Sequence, residues 1–139
     1  MINNIIRSYL VKLGFANYYH HMIHGSDERL HWCKKKDQYT VDVLFNTRSG
    51  HIWIADTVKF GHGVKILTGR HPKNGDGFAD VPTEGYDIYI EDGCYIGTDA
   101  VVISPLGGLT LGKNCVVGAN STVTQSFPAG SKIKGEKAR

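Results

Sequence analysis

From residue 54 onward the chain repeats itself every six residues. Written in sixes it gives IADTVK (54–59), FGHGVK (60–65) and ILTGRH (66–71). After a gap come IEDGCY (90–95), IGTDAV (96–101) and a unit that begins at Val102. LGKNCV (111–116), VGANST (117–122) and VTQSFP (123–128) follow. Every first position is aliphatic or Phe. Gly fills the second position at 61, 97, 112 and 118. The fifth position holds Val58, Val64, Cys94, Ala100, Cys115 and Ser121, with Arg70 as the exception. An α-helix repeats its apolar residues at three and four, and a lone strand at two. A period of six fits a short strand and a corner, repeated. Three such units close a triangular coil, and stacked coils bury the first-position residues in a column. Gly at the second position suits a corner that needs unusual dihedrals or no Cβ. One coil cannot bury a core alone, so several must stack.

The flanks read differently. Ile2, Ile5, Ile6, Tyr9, Leu10 and Leu13 have helical spacing with Gly14 as a stop, which predicts a helix over 2–13. A second helix is expected over 15–24, and polar residues 25–40 read as loop. The expected organisation is a helical arm and loop over 1–40, then a coil domain over 41–139. The arm would cap the open first coil or pack on a neighbour. Residues 72–87, PKNGDGFADVPTEGYD, have no six-residue period and start directly after His71. Such an excursion from a regular solenoid is a candidate functional element. A smaller insertion, SPLGG, lies at 104–108.

Charge and composition exclude some classes. Sixteen basic and thirteen acidic residues give a net charge of +3, too little to argue for nucleic acid. No apolar stretch approaches the roughly 18 residues of a membrane span. The first residues do not read as a signal peptide. Three cysteines without CxxC spacing suggest reduced thiols and a cytoplasmic setting.

The motifs "IADTVKFGHGVKILTGRHP", "IYIEDGCYIGTDAVVI" and "LTLGKNCVVGANSTVTQSFPAG", in that order, resemble the hexapeptide-repeat acyltransferases. The closest likeness is to the galactoside, maltose and xenobiotic O-acetyltransferase branch, over about residues 50 to 139. The resemblance implies an all-β fold, a left-handed parallel β-helix, assembled as a homotrimer. It implies acetyl-CoA as acyl donor, a sugar or sugar nucleotide as acceptor, and no metal. The acetylated sugar could belong to a surface glycan.

Acetyl transfer to a hydroxyl needs a base for the hydroxyl proton, a donor for the oxyanion, and both substrates held close. Imidazole suits the base role because it accepts a proton near neutral pH. Through "LTGRHP" the resemblance places the catalytic histidine on His71. It places coenzyme contacts on Gly97 and Thr98 of "YIGTD", Gly118 and Ala119 of "VVGAN", Thr124 of "TVTQ", and Arg139 of the basic tail. Gln125 stands where the family often has Lys. Tyr95 occupies a place where this branch often has Trp, beside the acetyl group, and Asn46 matches an Asn that helps hold the oxyanion.

Three other readings are open at this level. A solenoid without catalytic activity could organise a complex. An N-acetyltransferase could act on an amino sugar. A zinc enzyme like the gamma-class carbonic anhydrases could use His62, but that class has a second His five residues on, where this chain has Leu67.

Overall fold

A computed structural model describes residues 21–33 and 42–135. The helix expected over 2–13 and Arg139 lie outside these residues. The chain winds through three parallel sheets in turn. Face A joins β1 (His21–His24), β3 (Val43–Asn46), β6 (Lys65–Thr68), β11 (Val101–Ser104) and β14 (Thr122–Val123). Face B joins β2 (Leu30–His31), β4 (Ile52–Ile54), β9 (Ile88–Ile90) and β12 (Leu109–Leu111). Face C joins β5 (Lys59–Phe60), β10 (Tyr95–Ile96), β13 (Val116–Val117) and β15 (Lys132–Ile133). From β3 to β14, the hairpin strands in the loop after β6 apart, successive strands fall on A, B and C in turn, and every pairing within these faces is parallel. This is the left-handed parallel β-helix that the repeat and its resemblance imply.

Register explains the six-residue period. Ile66, Val102 and Val123 stand in one line across face A, and Ile96 and Val117 in another across face C. First positions Ile54, Ile66, Ile90, Ile96, Val102, Leu111, Val117 and Val123 are buried. The fifth positions Val58, Val64, Cys94, Ala100, Cys115 and Ser121 are buried too, so two residues of each unit fill the prism. Arg70 breaks the rule because the chain has already left the coil there. The positive φ angles fall on the fourth position, at Gly63, Gly93, Asp99, Asn114 and Asn120. Gly, Asn and Asp are the residues that enter this region most readily. The second-position glycines answer the other requirement. A Cβ on Gly97 would lie 2.7 Å from the Ala119 nitrogen and 2.8 Å from the Val117 oxygen. The next coil passes too close for any side chain there.

The start of the coil differs from expectation. Residues 21–24 belong to a strand, where a helix over 15–24 was expected, and Leu30–His31 is a strand inside the expected loop. β1 pairs with β3 and β2 with β4, so coil strands precede residue 41. The physical reason is burial with period two. His21, Leu30 and Trp32 point inward and pack with Val43 and Phe45, and the parallel ladder satisfies the backbone groups. Between these strands Ser26 caps a single 3₁₀ turn, Asp27–Arg29. Among the described residues no α-helix is present, and no helix is long and apolar enough to cross a membrane.

The thiols divide by burial. Cys94 and Cys115 are buried, and their Sγ atoms donate to the carbonyls of Gly112 and Pro128 at 3.1 and 3.2 Å. Burial pushes the Cys94 thiol up to about 11, partly offset by a backbone hydrogen bond at Cys115. The thiolate is the reactive form, so Cys94 is inert at neutral pH. Because its pKa is raised on folding, the associated stability is present below the ordinary value of 9.0 and is lost as pH climbs through about 11. Cys33 is exposed. A disulfide reagent at neutral pH is expected to label Cys33 rapidly and Cys94 and Cys115 only after denaturation. Rapid labelling of all three in the native protein would contradict this packing.

Candidate active site

The loop that leaves β6 carries His71 near its start. At its entrance Gly69 has φ of 82°, and a Cβ there would meet the Val81 side chain at 2.7 Å. The loop thus folds back onto the strand it leaves. It contains an antiparallel hairpin, β7 (Lys73–Asn74) and β8 (Gly77–Phe78), turned at Gly75 and Asp76. Gly75 has φ of 60°, as a two-residue hairpin turn with Gly at its first central position requires. The Ala79 N–H donates to the Pro72 carbonyl at 2.9 Å and closes the hairpin base. His71 Nδ1 lies 3.0 Å from the Ala79 carbonyl oxygen. That oxygen can only accept, so Nδ1 carries the proton. In the neutral ring the lone pair then falls on Nε2. His71 is exposed, so the hairpin fixes the ring while leaving it accessible.

The far end of the loop is anchored by residues that sequence reading missed. Arg29 Nη1 donates to the Thr83 carbonyl at 3.1 Å and to the Arg48 carbonyl at 3.3 Å. The Tyr86 ring is buried, and the His51 N–H donates to Asp87 Oδ1 at 2.8 Å. Gly107, in the short insertion at 104–108, donates its N–H to the Gly85 carbonyl at 2.9 Å. Among the described residues this guanidinium bonds carbonyls, which leaves no complementary side chain to find in a sequence. Arg29→Ala is expected to raise amide exchange across residues 79–86 at least tenfold, about 1.4 kcal/mol of local protection, with little change in the coil. Unchanged exchange there would show that Arg29 does not hold the loop.

The other expected site residues fall at two places. Asn46, at the end of β3, pairs with Leu67 beside the strand that leads to His71. Its Oδ1 accepts from the Arg48 N–H at 2.9 Å, which leaves the amide NH2 as a donor. Thr124 directly follows β14 on the same face and is half-buried. Gly97, Thr98, Gly118 and Ala119 form the opposite corner, between faces C and A. Gly97 is buried and donates to the Val117 carbonyl at 2.8 Å, so its first role is corner packing. Thr98 and Ala119 are exposed, and among the described residues no hydrogen bond uses their backbone N–H groups. Tyr95 projects from face C between Lys59 and Val116 and is 46% exposed. A single chain therefore holds His71 at one corner and the residues Gly97, Thr98, Gly118 and Ala119 at another. His62 is an exposed corner residue, and among the described residues no group of three His, Cys, Asp or Glu could hold a metal ion.

Comparison with known proteins agrees with this geometry. Residues 88–125 match the family described as hexapeptide repeat of succinyl-transferase. The galactoside O-acetyltransferase of Lactococcus lactis subsp. lactis is 35% identical over 77 residues, 55% of this chain and 36% of that protein. The bifunctional protein GlmU of Thermosipho africanus is 34% identical over 86 residues, 62% of this chain and 17% of that protein. The GlmU of Carboxydothermus hydrogenoformans is 38% identical over 76 residues, 55% of this chain and 15% of that protein. The chain thus spans well under half the length of each of these relatives. The six-residue period, the three-faced parallel coil and these matches make the chain similar, over its coil, to proteins of the hexapeptide-repeat type, acetyltransferases among them.

Proposed function

We propose that this protein transfers an acetyl group from acetyl-CoA to a sugar hydroxyl, with His71 as general base. The observation that carries the reading is the Nδ1–H bond from His71 to the Ala79 carbonyl, which presents a basic Nε2 on an exposed, hairpin-braced ring. Nε2 takes the hydroxyl proton as the sugar oxygen attacks the thioester carbonyl. The tetrahedral oxyanion, met by the Asn46 amide, collapses and expels the coenzyme thiolate. The imidazolium then returns its proton to sulfur. The unpaired N–H groups of Thr98 and Ala119 suit the amide carbonyls of the pantetheine arm, and Thr124 extends that groove.

The two-corner arrangement supports a cyclic homotrimer, in which His71 of one protomer meets the Thr98–Ala119 corner of the next. Face A lies between these corners, and its outward residues Leu44, Leu67, Val101 and Ile103 are half-buried and apolar. With its reduced thiols, such an enzyme belongs in the cytoplasm and suits the modification of surface-glycan precursors there. The test is coenzyme A release from acetyl-CoA against a panel of sugars, amino sugars and nucleotide sugars. At least one sugar is expected to accelerate release and yield an alkali-labile ester. An alkali-stable amide would assign an amine acceptor. No release, together with no coenzyme A binding by calorimetry, would leave a scaffold.

A further inference from the structure

Face B carries a feature that acetyl transfer does not use. His31, Trp53, Tyr89 and Thr110 occupy one outward row across β2, β4, β9 and β12. The rings of His31 and Trp53 stack with centroids 4.7 Å apart, and those of Trp53 and Tyr89 stack at 4.7 Å and 2°. Rings in such a column cover one another's faces. The row ends on Thr110, which is too small to continue it, and Tyr89 is 41% exposed. Beside the row runs an open groove of about 650 Å³, walled on its other side by Ala55, Glu91, Asp92 and Lys113. Both carboxylates are held in place. Glu91 Oε2 accepts the Lys113 backbone N–H at 3.0 Å, and Asp92 Oδ1 accepts the Thr57 hydroxyl at 3.0 Å. Each retains a second oxygen as an acceptor.

We infer that this groove binds a neutral pyranose unit of a glycan chain, its ring stacked on Tyr89 over Thr110 and its hydroxyls donated to Glu91 and Asp92. The apolar C–H face of a pyranose matches the flat face at the end of the ring column. Carboxylates with a spare oxygen select hydroxyl donors. Two carboxylates against one ammonium disfavour a phosphorylated or acidic ligand. A purely apolar ligand would strip water from those carboxylates without replacing it. The groove has the volume of a small-ligand site and is open, so a longer chain can run on past it. None of its walls comes from the loop that carries His71, so the inference stands apart from the acetyl-transfer reading.

Trp53 reports on this site. It is half-exposed and stacked on Tyr89, while the other tryptophan, Trp32, is buried. The test titrates the full chain with maltotriose, cellotriose and N-acetylchitotriose to about 10 mM while following tryptophan emission. At least one trisaccharide is expected to give a saturable change with a midpoint of about 1 mM. Tyr89→Ala and Glu91→Gln should each weaken it about tenfold. His71→Ala should leave it unchanged. The inference is overturned if no trisaccharide changes the emission, or if the change survives both variants at full affinity. Dissociation of the assembly by Tyr89→Ala would also overturn it, because a second copy of the chain would then cover the groove.

Discussion

His71→Ala is expected to lower the turnover number for acetyl transfer by about a hundred- to ten-thousandfold, the range that a positioned acid–base group supplies. The acceptor hydroxyl is a weak acid, so attack without a base is slow. Coenzyme A affinity and assembly should survive, because the ring lies outside the core and its bond to Ala79 links two residues of one loop. His71→Asn should be nearly as inactive, since an amide can donate to the Ala79 carbonyl but cannot take the proton. His62→Ala is the control and should retain most activity. Near wild-type turnover in His71→Ala, or loss of activity in His62→Ala, would remove the assignment.

The largest expected effect on stability is at Phe45. Its ring is fully buried at the start of the coil, edge-to-face with His21 and Phe60 at 5.5 and 5.7 Å and tilted against Trp32 at 5.8 Å. Phe45→Ala removes a ring from a site whose neighbours are tied into parallel ladders and cannot collapse inward. A loss of about 3–5 kcal/mol is expected, against a typical total of about 5–15 kcal/mol. Thermal denaturation should show a drop of about 10–20 °C. Leu44→Ala, one residue away but facing outward on face A, separates core from surface. It should alter the fold's stability little and weaken assembly, as light scattering would show. A Phe45→Ala protein that melts like wild type would mean that the first coil contributes little to the whole.

The coil from residue 54 was legible because its inward residues recur without a break. The earlier strands were not. Their corners, at Gly25 and Asp42, take positive φ without a six-residue spacing around them, and the inward Leu30 and Trp32 follow a period of two over a very short run. The sequence did hold a cue to the hairpin, the Gly75–Asp76 pair between Asn74 and Gly77. It was obscured by the larger fact that the loop lacks the period of six. Corner chemistry was half legible. Gly at the second position was noticed, but the left-handed residues are at the fourth, where Asp99, Asn114 and Asn120 serve as well as Gly. The place of His71 at the coil exit was legible from the six-residue units that end at it. Its orientation was not, because Ala79 is placed by the hairpin. Arg29 was invisible, since it reaches a carbonyl 54 residues away.

The excursion at 72–87 leaves the coil's register intact. Tyr95 pairs with Val116, 21 residues on, while Lys59 pairs with Tyr95 across the excursion, 36 residues on. Lengthening a closed segment by that ratio adds only about 0.5 kcal/mol of closure entropy. The strands on either side meet as though nothing had been inserted. The scaffold therefore sets almost no limit on the length or composition of this segment, provided its first residues deliver the histidine and its last regain the ladder at Ile88. Exchange of the segment between relatives would then alter the surface around His71 while the Thr98–Ala119 corner, on the far side of face A, is carried along unchanged.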